Sequence, residues 1–253
     1  MEQKMDTRFL LLWLEAPLQS WGADSKFGRR DSLSFPTKSG VLGILLCALG
    51  ASGEQKELLA RLADLRQTVV AYARTQNQKG NETESAKVDR EPLLMDFHMV
   101  GSGYNDKNPW ESLLIPKKSD GSAPGRRPDG GYAGSKMTYR YYLQDAKFAV
   151  ALEIPAELSD SFSDALQNPV YDLYLGRKNC VPTDFIYRGT FEREETALEK
   201  AGEIALEKQL IEDFRVMDGE HNNDGDVMTL NDIPVQFGEI KRYRDRRVTM
   251  IPC

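Results

Sequence analysis

From Phe9 to Leu14 the chain reads Phe9-Leu10-Leu11-Leu12-Trp13-Leu14, six apolar residues without a break, and Pro17 closes the run. A continuous apolar stretch of this length, ended by proline, describes a buried strand. Phe35-Pro36-Thr37-Lys38-Ser39-Gly40-Val41-Leu42-Gly43 follows. Thr37 or Ser39 can cap a helix here, and Gly50 with Gly53 can end it. That helix is apolar nearly all round, and Gly40 and Gly43 let it approach neighbouring backbone closely. Its N-terminus directs free N–H groups and a partial positive charge toward the loop from Trp21 to Arg30, where an anion is expected. With Trp21, Lys26, Arg29, Arg30 and Lys38, the region suits a phosphate-rich ligand.

Leu58, Leu59, Leu62 and Leu65 recur at helical spacing, so Gln55 to Leu65 reads as a second helix. Thr68 to Ala73 has strand composition, which makes the opening β-α-β. Thr75 to Glu91 is polar, Leu93 to Val100 is a strand candidate, and Gly101 to Ser135 is Gly/Pro-rich without periodicity, as expected of a long projecting segment. Thr138 to Leu143 and Lys147 to Leu152, joined at Gln144-Asp145, form a hairpin pattern. A helix from Pro155 follows, with Leu158, Phe162 and Leu166 inward and Pro169 as its stop. The order β-α-β then β-β-α predicts an α+β fold. It is a ferredoxin-like or RNA-recognition-motif-like antiparallel sheet, with helices on one face and a long central thumb-like insertion. Residues 1–74 and 137–190 are the core in this reading, 75–136 the insertion, and 191–253 an extension that completes or flanks the core.

The 253 residues are 40% apolar and 28% charged, ordinary for a globular protein. The apolar stretches fall short of the roughly 20 residues of a membrane-spanning helix, and the N-terminus lacks a signal-peptide pattern, so a cytoplasmic protein is expected. Three widely spaced cysteines and two distant histidines offer no zinc spacing and few general acid/base candidates, and neither a metal nor a cofactor is expected. His98, between Phe97 and Met99, is expected to pack in the core. A net charge of −6 leaves room for a local basic groove. Cations cluster at Lys26 to Lys38, Lys117 to Lys136, Arg177-Lys178 and Lys241 to Arg247, while acids gather from Glu192 to Asp213 and from Asp218 to Asp226. Lys38-Ser39 lacks the glycine spacing of a P-loop. Asp218 to Asp226 lacks the order of a calcium loop and reads as a solvated acidic loop.

Four ordered segments carry a resemblance: Ala16-Pro17-Leu18-Gln19-Ser20-Trp21-Gly22, then Phe35 to Gly43, Tyr139-Arg140-Tyr141-Tyr142-Leu143-Gln144-Asp145-Ala146, and Tyr174-Leu175-Gly176-Arg177-Lys178-Asn179-Cys180. Together they resemble the CasD family, the Cas-five-type subunits of the type I-E CRISPR Cascade, over Arg8 to Pro182. The acidic stretch after Phe191 matches no part of it. The resemblance implies a non-catalytic subunit that holds the 5′ handle of the CRISPR RNA. It also implies contacts to the neighbouring backbone subunit and the large subunit, and to target DNA only through the complex. The alternative within the family is a metal-independent endoribonuclease that processes CRISPR repeat RNA.

Single-stranded RNA is held by cations on phosphates, aromatic rings on splayed bases and N–H groups at helix starts. Gln19, Trp21, Lys26, Arg29, Arg30, Lys38 and Ser39 supply these, and Arg140, Arg177 and Lys178 close the opposite wall. Each has a plainer reading: Trp21 as a core plug, Arg29-Arg30 as a solvated loop, Arg177-Lys178 as the mark of a turn. Trp110, Leu113, Leu114 and Ile115 are candidates for an apolar patch that a partner covers.

Overall fold

A computed structural model describes residues 6–22, 28–77, 85–100, 136–221 and 225–253, with isolated positions between 107 and 131. Lys26, Trp110, Leu113, Leu114 and Ile115 lie outside the described residues. The chain begins with β1 (Thr7–Glu15), β2 (Leu18–Gln19), β3 (Trp21–Gly22), β4 (Arg29–Arg30), β5 (Ser32–Leu33), α1 (Lys38–Ala48) and α2 (Lys56–Leu62). Next come β6 (Gln67–Asn77), β7 (Ser85–Lys87), β8 (Leu94–Val100), β9 (Lys136–Gln144), β10 (Lys147–Pro155), a 3-10 turn at Ala156–Leu158 and α3 (Ser159–Gln167). β11 (Tyr187–Phe191), α4 (Glu194–Glu207), β12 (Leu210–Asp218), β13 (Asp226–Gln236) and β14 (Arg242–Pro252) complete it. Among the described residues, no helix is long and apolar enough to cross a membrane. Two compact units form: Met1–Trp21 with Leu33–Pro92 and Leu143–Cys253, and Gly22–Ser32 with Leu93–Tyr142.

The larger unit is built on an antiparallel sheet in the order β11-β1-β10-β6-β12-β14-β13, with β7 on β6. β1 is central: Leu10 to Leu14 expose nothing to solvent. Successive strand residues point to opposite faces, so an uninterrupted apolar run requires cover on both. On one face Phe9, Leu11 and Trp13 pack with Val70, Tyr72 and Ala149 under Ala197, Ala201 and Ile204 of α4. Leu10, Leu12, Leu14, Phe148 and Val150 point the other way and are equally buried. The expected covering of one face therefore gives way to two. The second cover comes from the acidic stretch after Phe191, where Ala197, Ala201 and Ala205 face the sheet at helical spacing. Residues 187–252 supply four of the eight strands.

β9 and β10 do not form the expected hairpin. β10 pairs with β1 and β6, whereas β9 pairs with β2, β4 and β8. The connecting Asp145 has φ of 47°, and its N–H is donated to Pro17 O at 2.9 Å instead of across a two-strand turn.

In the smaller unit β8 lies antiparallel to β9, with Phe97 opposite Tyr139 and Met95 opposite Tyr141. β4 joins the same strand in parallel, Arg29 beside Tyr139 and Arg30 beside Arg140. The Tyr139 N–H donates to Gly28 O at 2.7 Å. A Cβ at Gly28 would come within 2.9 Å of Met137 O, so a bare α-carbon is what admits this parallel strand.

Candidate nucleic-acid interface

In the larger unit, three segments far apart in sequence converge on Leu18 to Trp21. Gln19 is fully buried, donating from Nε2 to Leu14 O at 3.1 Å and Ala146 O at 2.7 Å. Its Oε1 accepts the Trp21 indole N–H at 3.0 Å. Trp21 is 1% exposed and lies against α1, where a Cβ at Gly40 would fall 2.8 Å from the ring. Gly40 is the residue that lets the helix seat on the indole.

The third segment is the turn from Tyr174 to Cys180. The Ser20 N–H donates to Leu175 O at 3.1 Å, and the Leu175 N–H donates to Cys180 O at 2.8 Å. Gly176 has φ of +100°, and a Cβ there would lie 1.8 Å from Ser20 O. Only glycine tolerates both the left-handed backbone and that approach. Leu175 and Cys180 are buried, and burial pushes the Cys180 thiol above its ordinary pKa. Anchored at both ends, the turn presents Arg177, half-buried, and Lys178 and Asn179, exposed. Ser39 is half-buried, its Oγ donating to Thr37 Oγ1 over a long 3.4 Å.

The anion expected at the start of α1 is supplied from within the chain. Thr37 caps the helix, its Oγ1 accepting the Gly40 N–H at 3.2 Å. The Lys38 N–H donates to Asp232 Oδ2 at 2.8 Å, a residue of β13. Asp232, 4% exposed, also receives the Arg246 guanidinium through two bonds of 2.7 and 2.8 Å. Burial opposes the Arg246 charge, but Asp232 and Asp218 outweigh it and hold the guanidinium above its ordinary pKa. Lys38 is 1% exposed, donating from Nζ to Leu65 O, with Asp218 Oδ2 3.8 Å away. Burial pushes this ammonium down, and Asp218 offsets only part of the shift.

These placements sort the site residues expected from sequence. Gln19, Trp21 and Lys38 are interior groups whose partners are other parts of the chain, so their side chains leave the set that can touch a ligand. Asp218 is no solvated loop residue, being paired with Arg246 and accepting the Gln67 N–H at 3.1 Å. Ser39, Arg177 and Lys178 sit in the larger unit. Arg29, Arg30 and Arg140 sit in the smaller one, where Arg29 holds Asp31 at 2.8 Å and lies 5.0 Å over the Tyr141 ring. His98 is not a core residue: its side chain is 48% exposed, 3.8 Å from Asp96. Its strand pairs only with β9 among the described residues. Two exposed aromatics escaped the sequence reading, Tyr171 at 56% and Phe185 at 82%, flanking the Gly176 turn in sequence. An aromatic beside Val170 or Asp184 gives no periodic signal, and only exposure distinguishes it.

A family model described as CRISPR-associated protein (Cas_Cas5) matches residues 9–249. The chain belongs to the CasD/Cas5 family of CRISPR-associated proteins. Its match runs through the acidic stretch and the C-terminal strands, beyond the limit at Pro182 expected from the motifs alone. The CRISPR system Cascade subunit CasD of Escherichia coli (strain K12) is 30% identical to it over 191 residues, 72% of this chain and 70% of that protein. A solved structure described as a CRISPR RNA-guided surveillance complex is similar with a TM-score of 0.65 at 26% identity, covering 96% of this chain and 89% of that one. A second, described as a Cas protein, has a TM-score of 0.55 at 26% identity and covers 96% and 95%. For a Cas5-family chain, the converging segments are the four whose order carried the resemblance, less the Tyr139 to Tyr142 part, which belongs to the smaller unit.

Proposed function

We propose that this chain is a non-catalytic, RNA-binding subunit of a cytoplasmic type I-E Cascade, holding the 5′ handle of the CRISPR RNA. In this role it docks against the backbone and large subunits and meets target DNA only through the complex. The names of the CasD relative and of the surveillance-complex structure support a place in such an assembly. The observation that carries the RNA site is the seating of Gly176 on Ser20, because it fixes a cationic turn on a rigid base. Arg177 and Lys178 contact phosphates there, with Ser39 and the exposed Tyr171 and Phe185 in the same unit, while Arg29, Arg30 and Arg140 of the smaller unit are a separate set of RNA-binding cations. Gln19, Trp21 and Lys38 act by holding the base in shape.

The core is ferredoxin-like in this proposal: β1, β6, β10 and β11 are its four strands in chain order, and their spatial order four-one-three-two is read from the sheet. The insertion of residues 75–136 is its thumb. The test is incubation of the purified chain with labelled CRISPR repeat RNA in EDTA, following gel shift and strand cleavage, with an unrelated RNA as control. Selective binding without cleavage is expected. Cleavage at one position would move the chain to the endoribonuclease reading, for which the exposed His98 beside Asp96 is the group to examine first.

A further inference from the structure

On the sheet of the smaller unit, one face carries a row of exposed apolar side chains among the described residues. Phe97 is 50% exposed and Tyr139, opposite it on the next strand, 41%. Their ring centroids lie 5.3 Å apart at 48°. One pair along, Tyr141 carries the Arg29 guanidinium over its ring. Met95 and Met99 extend the same face beyond the rings, both more than half exposed. Monomeric proteins rarely leave so many neighbouring apolar side chains in water without an occupant.

We propose that this face is a stacking platform for unpaired bases of single-stranded RNA. Two arguments favour nucleic acid. The aromatic side chains come from adjacent strands in cross-strand register, the arrangement by which sheet-based RNA modules stack two or three bases. Among the described side chains of β4, β8 and β9 and the Asp31 that follows β4, three arginines, Arg29, Arg30 and Arg140, stand with two carboxylates, Asp96 and the Asp31 paired with Arg29, on a chain whose net charge is −6. Arg29 stands on the aromatic face, where a guanidinium reaches a phosphate or stacks on a base. Stacking reads no sequence, so the platform grips any unpaired strand and does not depend on handle recognition by the Gly176 turn.

The test uses the full chain and short unstructured RNAs of unrelated sequence carrying 2-aminopurine, whose fluorescence falls when the base stacks. Quenching is expected with the single strand and not with its duplex. Phe97→Leu, which keeps apolar area but removes the ring, should abolish most of the quenching and weaken binding by about tenfold, a typical cost of one lost stack. Phe97→Tyr should behave as the parent. Thermal melting should be unchanged in both. Equal quenching by duplex, or a Phe97→Leu chain that binds and quenches like the parent, would overturn the platform. Release of a protein partner by Phe97→Leu with RNA binding intact would also overturn it. Failure of repeat RNA to bind preferentially in the earlier gel shift leaves this result unaffected, so the two readings fail separately.

Discussion

The start of α1 and the turn at Gly176 carry the same signals in sequence: glycine, lysine and a nearby cap or bend. The structure puts them to opposite uses. At α1 the free N–H group and the lysine are turned inward, satisfied by Asp232, Asp218 and Leu65 O. At the turn the backbone is held by Ser20 and Cys180, and Lys178 stays exposed. A helix N-terminus is an anion site only while no carboxylate of its own chain has filled it. At Lys38 the deciding residue stands 194 positions away.

If the interior network is structural, Asp232→Ala should produce the largest effect on stability. It takes one of the two carboxylates from a buried guanidinium, leaving Asp218 alone on it, and removes the acceptor of the Lys38 N–H, a loss of about 3–5 kcal/mol, read from denaturant midpoints. The affinity of the remaining folded chain for repeat RNA should not change. Gly176→Ala comes next, forcing a left-handed backbone and a clash with Ser20 O, at about 3 kcal/mol. Unlike Asp232→Ala it should also weaken RNA binding under conditions where the chain is folded. A Gly176→Ala chain of parental stability would remove the anchoring claim.

At the turn itself Lys178→Ala should leave stability within about 0.5 kcal/mol. It should weaken repeat-RNA binding across salt concentrations and lower the slope of log affinity against log salt by about one. An unchanged slope would mean that Lys178 is merely solvated. The smallest effect concerns acid. Burial raises the Glu153 carboxyl, but the Arg66 N–H, the Thr7 hydroxyl and the Arg66 guanidinium outweigh it and hold its pKa below the ordinary value. A depressed carboxylate contributes stability above its unfolded pKa and loses it as pH falls through the folded one. Parent and Glu153→Gln should therefore converge in urea midpoint as pH drops below about 4, with a gap under about 1 kcal/mol at neutral pH.

β1 and α1 were legible because their signals are local: an unbroken apolar run, and Thr37 three residues before the N–H it accepts. The C-terminal half of the sheet was not. Its helix shows the sheet Ala197, Ala201 and Ala205, too small to mark an apolar stripe among glutamates. The hairpin at Gln144-Asp145 satisfied every local rule, yet β1 and β2 took the two strands into different sheets. Of the candidate site, the cations at Arg177 and Lys178 were readable as such. That Gln19, Trp21 and Lys38 face inward depends on Ala146, Gly40 and Asp232, partners no short window contains.

The most direct measurement is photo-crosslinking of repeat RNA bearing 4-thiouridine along its 5′ handle, followed by peptide mapping of the full chain. Crosslinks within residues 171–185, lost on competition with unlabelled handle, are the expected result. Handle crosslinks confined to the C-terminal strands, or none at a concentration where the gel shift is complete, would contradict the placement of the RNA at the Gly176 turn.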